Sequence, residues 1–410
     1  MNLKSSDLTI TAVNITPLLK TAYQKANGSI DGDYEIFNPS LIYDNGEYIA
    51  CARVFLSRKG MNNRKSWEGR NVTVFTRLDT DLRKVKGKCV VVSSLLNVAY
   101  RSSALSEFHP GTEDVRIQVV DGQLWAIGNE KVGRERKVVT ARMDKQTFEI
   151  IHAGVVFEEE QSSFEKNWSV FLRDGRWNVL YKLSPLETMT SSNNLFAPSA
   201  KRRRHSPSIL DTVSETFRKV TGYNAEIRNR TSPVRIGKDT YLAMGGLVLD
   251  WKASDPQVNA LLVPGIVSGD SDYSDDDAAY WGEKYHKLYL SFFYVFKMNG
   301  SDIKIDALSS FFQLPTRESR DELVVFPTTL TLHDKDVVIS YGVGDNRSYM
   351  ASIPFPLVEL MLQDADNALL FQGLNISPDE PIHIARVARR VLKLDDRPSK
   401  YLLRDASTSN

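Results

Sequence analysis

Five times along the chain, two short strand-forming runs meet at a tight polar turn, and each time a polar or proline-containing motif opens the first run. The first pair spans residues 37–43 and 48–54 around Asp44-Asn45-Gly46, and the second runs from Asp114 to Ile127 around Asp121-Gly122. The third pairs residues 165–171 with 177–181 around Asp174-Gly175, and the fourth pairs 231–236 with 241–244 around Gly237-Lys238. The fifth pairs 325–330 with 337–342 around Asp334-Lys335. Asn-Gly and Asp-Gly between strand-like runs favour the two-residue turns whose twist matches a hairpin. Two further strand-like runs follow the first hairpin (72–75 and 88–92) and two follow the second (137–143 and 153–157).

Four-stranded antiparallel units repeated five times at irregular spacing predict radial repetition, an all-β chain folded as a five-bladed β-propeller over residues 35–356. A large sandwich is the competing all-β architecture, but it gives no reason for a motif ahead of every hairpin. In a propeller the innermost strand of each blade runs along the central channel, so the five motifs converge at one mouth. Residues 1–34 are expected to form an N-terminal arm. Residues 357–410 are expected to form a short, partly helical extension packed on the propeller, helical over 357–370 and helical or extended over 382–392.

Three stretches are expected to lie outside the repeat. Residues 57–70 form a polar loop. Residues 184–229 carry the basic run Lys201-Arg202-Arg203-Arg204 and a helix near 209–220. The basic run fits a nuclear signal, a phosphate-binding patch or a solvated loop. Residues 268–278 are acidic and Ser-rich, a composition that favours a solvent-facing tip.

Composition narrows the function classes. Lys and Arg number 52 against 51 Asp and Glu, so bulk electrostatics favour neither nucleic acid nor an anionic membrane. Cys51 and Cys89 sit in apolar runs without metal-ligand spacing and read as buried thiols of a reducing compartment. The N-terminus shows no basic-then-apolar leader, and no apolar run has membrane-spanning length. A cytoplasmic, soluble protein without metal or cofactor is the expectation. A homo-oligomer is compatible with this inventory but not specified by it.

Residues 111–117, Gly-Thr-Glu-Asp-Val-Arg-Ile, place two acids and a base at the start of an apolar strand. Regular strand alternation would put Asp114 and Arg116 on one face and Glu113 on the other. The motifs and their hairpins then bring Asn38, Arg53, Asp114, Arg116, Lys166, Asn167, Trp168, Ser232, Phe326, Tyr341 and Asp345 toward one mouth. Amides and a carboxylate bind sugar hydroxyls, aromatic faces cover C–H patches, and Arg and Lys hold phosphate. Each residue also has a plain structural reading. Asn38-Pro39 fits a strand-entry turn, Trp168, Phe326 and Tyr341 fit core aromatics, and Arg116 and Lys166 fit surface charges.

The set Asn38-Pro39-Ser40, Glu113-Asp114-Val115-Arg116, Glu165-Lys166-Asn167-Trp168, Ser232-Pro233, Phe326-Pro327 and Tyr341-Gly342 with Asp345 resembles the mannoside phosphorylase family, glycoside hydrolase family 130, and the related propeller mannosyltransferases. The resemblance covers roughly residues 35–355. It implies a propeller enzyme whose general acid is Asp114, acting through a hydroxyl of the substrate sugar. It further implies that Arg116 and Lys166 hold phosphate or the adjoining sugar, and that Asn38, Arg53 and Asp345 are substrate contacts of the first and last blades. The family often carries Tyr-His-Gly on the fourth returning strand, its His binding phosphate, whereas this chain reads Leu242-Ala243-Met244-Gly245-Gly246. Tyr285-His286 is the available substitute.

Three activities compete on these residues. An inverting hydrolase needs a second carboxyl group roughly 6.5–9.5 Å from the first, with Asp345 the candidate and Glu165 behind it. A phosphorylase or nucleotide-sugar transferase needs one acid or base together with cations for phosphate. A non-catalytic glycan-binding propeller needs neither. One prominent acid beside Arg53, Arg116 and Lys166 points to hexosyl transfer, with mannosyl the sugar implied by the resemblance. The partners are then a sugar or oligosaccharide and either phosphate or a nucleotide sugar.

Overall fold

The computed structural model describes residues 10–28, 34–57, 69–96, 111–191, 194–221, 224–252, 285–309, 311–312, 314, 324–364 and 402–405. Its strands form five separate sheets, one after another along the chain, as the blades of a five-bladed β-propeller. The first blade orders Tyr34–Asp44, Glu47–Ser57, Gly69–Asp79 and Val85–Val92 from inside to outside. The second orders Glu113–Val120, Gln123–Val132, Glu135–Met143 and Ile150–Val155. The third orders Ser169–Arg173, Arg176–Leu183, Leu186–Ser191 and Lys201–Arg204.

The fourth blade has a divided inner strand, Ala225–Asn229 and Val234–Arg235, both paired with Thr240–Lys252. Tyr285–Asn299, Asp302–Ser309 and the short Leu362–Asp364 complete it. The fifth orders Val325–His333, Asp336–Val343 and Arg347–Pro354, and its fourth strand comes from the other end of the chain. Thr11–Asn14 pairs antiparallel with it, Thr11 opposite Ser352, and Leu402–Asp405 adds a parallel strand beyond. Joining an early strand to the last blade closes the ring, because sequence-adjacent blades alone would leave a seam between the fifth and the first.

Turn chemistry sets the hairpins. Asn45-Gly46, Asp121-Gly122 and Asp174-Gly175 each carry two successive positive φ angles, near 50° and then 70–85°. That is the backbone a two-residue turn between right-twisted strands requires. Five apolar clusters fill the space between facing blades. Ile42, Cys51 and Phe75 of the first blade meet Val115, Ile117 and Leu124 of the second. Trp125 and Ile127 of the second meet Trp168 and Trp177 of the third. The last cluster joins Val338 and Met350 to Leu41 and Tyr48, and Leu18, Leu19 and Ala22 of the helix Thr16–Asn27 pack into it.

Inner strands have a sheet partner on one side only, so their channel-facing backbone needs other partners. Hydroxyl side chains of the neighbouring blade supply several. Ile117 N–H donates to Ser40 Oγ at 2.9 Å, and Ser169 Oγ donates to the Thr231 carbonyl at 2.8 Å. Leu41 N–H donates to Thr329 Oγ1 at 2.9 Å.

Residues 184–229 do not lie outside the repeat. They hold the two outer strands of the third blade, the helix Ile209–Thr221 and the first inner segment of the fourth blade. The basic run is an edge strand, with Arg202 paired to Glu187 and Arg203 to Asp302, both at 2.5 Å. Charge on an edge strand blocks pairing with other chains, which is why this strand lacks the apolar alternation used to find the rest. The helix expected over 357–370 is Phe355–Met361 and gives way to the strand Leu362–Asp364. Residues 365–370, 382–392, 268–278 and 58–68 lie outside the described residues. Among the described residues no helix is long and apolar enough to cross a membrane.

Candidate active site

At the channel mouth the inner strands depart from regular pairing. The ladder slips between Phe37 and Ser40 in the first blade, between Glu113 and Arg116 in the second, and between Pro327 and Thr329 in the fifth. In the fourth blade the inner strand breaks between Asn229 and Val234. Asn38 with φ 48° and Asp114 with φ 52° lie within two of these slips and have left-handed backbone, as does Asn167 with φ 62°, just ahead of the third inner strand Ser169–Arg173. Asn and Asp tolerate this conformation best among residues with a Cβ, at a cost of roughly 1–2 kcal/mol each. Such bulges re-aim side chains, and here they aim short polar groups into one mouth.

The bulge overturns the alternation expected for Glu113 and Asp114. Both carboxylates reach the same guanidinium: Arg53 Nη1 lies 3.2 Å from Asp114 Oδ1 and Arg53 Nη2 lies 3.6 Å from Glu113 Oε1. The positive φ at Asp114 turns its side chain to the side that an unbroken strand would have reserved for Glu113.

Asp114 Oδ1 accepts a second hydrogen bond, 2.8 Å from Asn38 Nδ2. Asn38 fits there because residue 342 is glycine: a Cβ on Gly342 would lie 2.0 Å from Asn38 Oδ1. Arg53 is itself fixed, its Nε donating to Asn71 Oδ1 at 2.8 Å and its guanidinium lying 5.0 Å from the Phe37 ring centre. Glu113 is held by Asn71 Nδ2 at 3.4 Å and by a short contact from Arg136. Burial alone would raise the Asp114 carboxyl. Arg53, the Asn38 amide and Arg116 outweigh it and hold the group below the ordinary carboxylate value. Both donors use Oδ1, so among the described residues Asp114 Oδ2 has no partner, and 19% of the side chain remains accessible.

Arg116 is buried on the second inner strand and reaches the third blade. Its Nη1 donates to the Trp168 carbonyl at 3.0 Å and its Nη2 to Asn167 Oδ1 at 3.4 Å. Burial lowers its pKa to about 10, opposed by the nearby Asp114 charge, and it stays cationic at neutral pH. Neither of those hydrogen-bond partners is a carboxylate, so Arg116 keeps charge to offer.

The structure therefore gathers Asn38, Arg53, Asp114, Arg116 and Asn167. Trp168 stands behind them, buried, with Nε1 donating to Glu165 Oε2 at 3.1 Å, and it contributes its carbonyl to the mouth and its ring to the core. Tyr341 is fully buried, stacked on Tyr349 at 5.5 Å within the core between the fourth and fifth blades. Lys166 is exposed, with Nζ 5.2 Å from the Phe164 ring centre. Ser232 is half-buried in the break of the fourth inner strand, and Phe326 is half-buried at the start of the fifth. Asp345 is exposed in the turn between the second and third strands of the fifth blade, at the mouth end. Tyr285 and His286 open the third strand of the fourth blade, opposite Lys252 and Trp251.

Three residues at the mouth, Asn71, Arg136 and Arg230, have no signal in the hairpin motifs, and a fourth, Glu113, has one that points to the other face. Asn71 and Arg136 lie on third strands, outside the pattern. Arg230 directly precedes Thr231-Ser232-Pro233, and its side chain is 1% exposed. Its guanidinium lies 4.7 Å from the Phe326 ring centre and is near enough to Arg116 to feel its charge.

No protein-family model and no curated protein matches the chain. Among solved structures it is similar to a mannose phosphorylase from Leishmania mexicana in complex with phosphate ion, at 13% identity and TM-score 0.48, over 80% of this chain and 86% of that one. It is also similar to a beta-1,2-mannobiose phosphorylase from Listeria innocua, at 10% identity and TM-score 0.49, over 85% of this chain and 98% of that one. A GDP-Man-dependent mannosyltransferase from Leishmania mexicana matches at 12% identity and TM-score 0.45, over 79% and 87% of the two chains. At this level of likeness none of them assigns an activity to this chain.

Proposed function

We propose that this chain transfers a hexosyl group, mannosyl by the motif resemblance, to or from phosphate or a phosphate-linked donor, with Asp114 as the general acid and base. One observation carries the proposal: Asp114, ionised and with an unengaged oxygen, shares its mouth with guanidinium groups in excess of the carboxylates. Arg53, Arg116, Arg136 and Arg230 stand against Asp114, Glu113 and, at the exposed rim, Asp345 among the described residues. Such a mouth is short of negative charge, and a phosphoryl group supplies it.

The resting state of Asp114 sets the direction of proton flow. In synthesis the acceptor hydroxyl gives its proton to Asp114 Oδ2 as its oxygen bonds to the anomeric carbon. Phosphate leaves with the electrons of the broken C–O bond, its charge met by the arginines. In the reverse direction phosphate attacks the anomeric carbon, and the departing sugar oxygen takes the proton from Asp114. Bound phosphate makes that possible, because its charge offsets the cations that hold Asp114 ionised and so raises the carboxyl pKa.

Glu113 does not complete a hydrolytic pair. Oε1 is engaged by Arg53 and Asn71 and Oε2 by Arg136, so activating a water would break a built network. The direct test supplies mannose as acceptor with mannose 1-phosphate or with a nucleoside diphosphate mannose, and mannosides with phosphate in the other direction. Disaccharide formed with release of phosphate or nucleoside diphosphate, or sugar 1-phosphate formed from a mannoside, supports the proposal. Glycoside hydrolysis indifferent to every phosphate compound overturns it.

A further inference from the structure

Arg230 is a buried cation that no carboxylate among the described residues neutralises. It follows the first inner segment of the fourth blade, Ala225–Asn229, at the break in that strand. Nη1 and Nη2 are both buried without a hydrogen-bond partner, and among the described residues no carboxylate pairs with it. Its immediate surroundings are aromatic, with ring centres of Tyr289 at 5.1 Å and Phe326 at 4.7 Å. Glycine on the next strand makes room for it: a Cβ on Gly246 would lie 2.2 Å from Nε and 2.9 Å from Nη2.

Aromatic faces attract a guanidinium but accept none of its five N–H bonds. Burial lowers the Arg230 pKa to about 9, with Tyr289 and Glu226 opposing the shift and Arg228 and Arg116 adding to it. Glu226 is already paired with Arg228. Two guanidiniums that repel each other across a mouth, one of them with both terminal nitrogens unbonded, are matched by a single ligand that carries two charges and several acceptor oxygens. A phosphoryl dianion has that form, since its oxygens accept parallel bonds from more than one planar fork.

We infer that Arg230 is an anion-binding residue and that, together with Arg116, it forms the seat of the phosphoryl group. The inference rests on the transfer function proposed above for the kind of anion. It adds a cation at the break of the fourth inner strand, in the blade where Met244-Gly245-Gly246 lacks the histidine that the motif resemblance leads one to look for.

The test uses the full chain and inorganic phosphate as probe, with calorimetric titration for binding and thermal melting without phosphate for stability. Arg230→Met should weaken phosphate binding by about ten- to hundredfold, the effect of losing hydrogen bonds to a charged group. The same substitution should leave the melting temperature without phosphate unchanged or raise it, because it removes an uncompensated buried charge. Gly246→Ala, which keeps the charge but displaces Nε, should also weaken phosphate binding. Phosphate binding indifferent to both substitutions, no phosphate binding by the unmodified chain, or a marked fall in the Arg230→Met melting temperature would each overturn the inference. Failure of the transfer function itself appears differently, as absent donor turnover while phosphate binding still depends on Arg230.

Discussion

Arg53→Met is the most informative single change at the mouth, because Arg53 is the largest of the influences that hold Asp114 ionised. At 3.2 Å, with 13% and 19% of the two side chains accessible, the pair is mostly shielded from water. An effective dielectric constant near 20 gives an attraction of about 5 kcal/mol at that distance, much of it offset by desolvation. The net effect of an arginine beside an aspartate is about 1–3 pKa units, or about 1.4–4 kcal/mol. Methionine keeps the apolar stem against Phe37 and removes the charge, so Asp114 should titrate at higher pH. Its folded value is depressed in the unmodified chain, so Asp114 there contributes stability above its unfolded pKa and loses it as pH falls through the folded one. In Arg53→Met burial acts with less opposition, and the stability difference between neutral and acidic pH should shrink or reverse. Carboxyl-carbon NMR, with Asp114→Asn to assign the resonance, reads the titration directly, and urea unfolding at the two pH values reads the linkage. An Asp114 titration that does not move would refute the electrostatic account of this site.

The packing of the site can be tested without any substrate. Gly342→Ala should cost about 1–3 kcal/mol in urea unfolding through overpacking against Asn38, and it should raise the Asp114 pKa by disturbing the Asn38 hydrogen bond. Combining it with Asn38→Gly, which relieves the side-chain clash, should recover part of that loss, with a coupling energy of about 0.5–3 kcal/mol; strict additivity would contradict the contact.

The hairpins were legible in the sequence because Asn-Gly and Asp-Gly turns announce themselves locally and the apolar alternation on both sides agrees with them. Three things were not. The closing strand Thr11–Asn14 is four residues long and is defined by partners on the fifth blade, a pairing no local pattern shows. The strand Lys201–Arg204 carries charge where the pattern asks for apolar residues, because its position at a blade edge rewards charge. At the site, period-two alternation fails across Glu113, Asp114 and Arg116, because the left-handed Asp114 lies within the register shift and brings its own carboxylate and that of Glu113 to one guanidinium. Asn71, Arg136 and Arg230 reach the mouth from third strands or from a strand break. Their roles depend on how sheets are set side by side, and a run such as Arg228-Asn229-Arg230 reads in isolation as exposed charge. Tyr341 shows the opposite case, a motif aromatic that the fold uses as core.

The catalytic assignment of Asp114 is tested most directly by the turnover of Asp114→Asn on the donor that the unmodified chain uses. Asparagine preserves shape and one acceptor at the position of Oδ1, and it removes the proton transfer proposed for Oδ2. The rate should fall by roughly 10²–10⁴, the usual contribution of a general acid or base, while binding of inorganic phosphate through Arg116 and Arg230 persists. An Asp114→Asn enzyme that turns over at the unmodified rate would show that Asp114 only completes an ion pair with Arg53, and the proposed chemistry would be wrong.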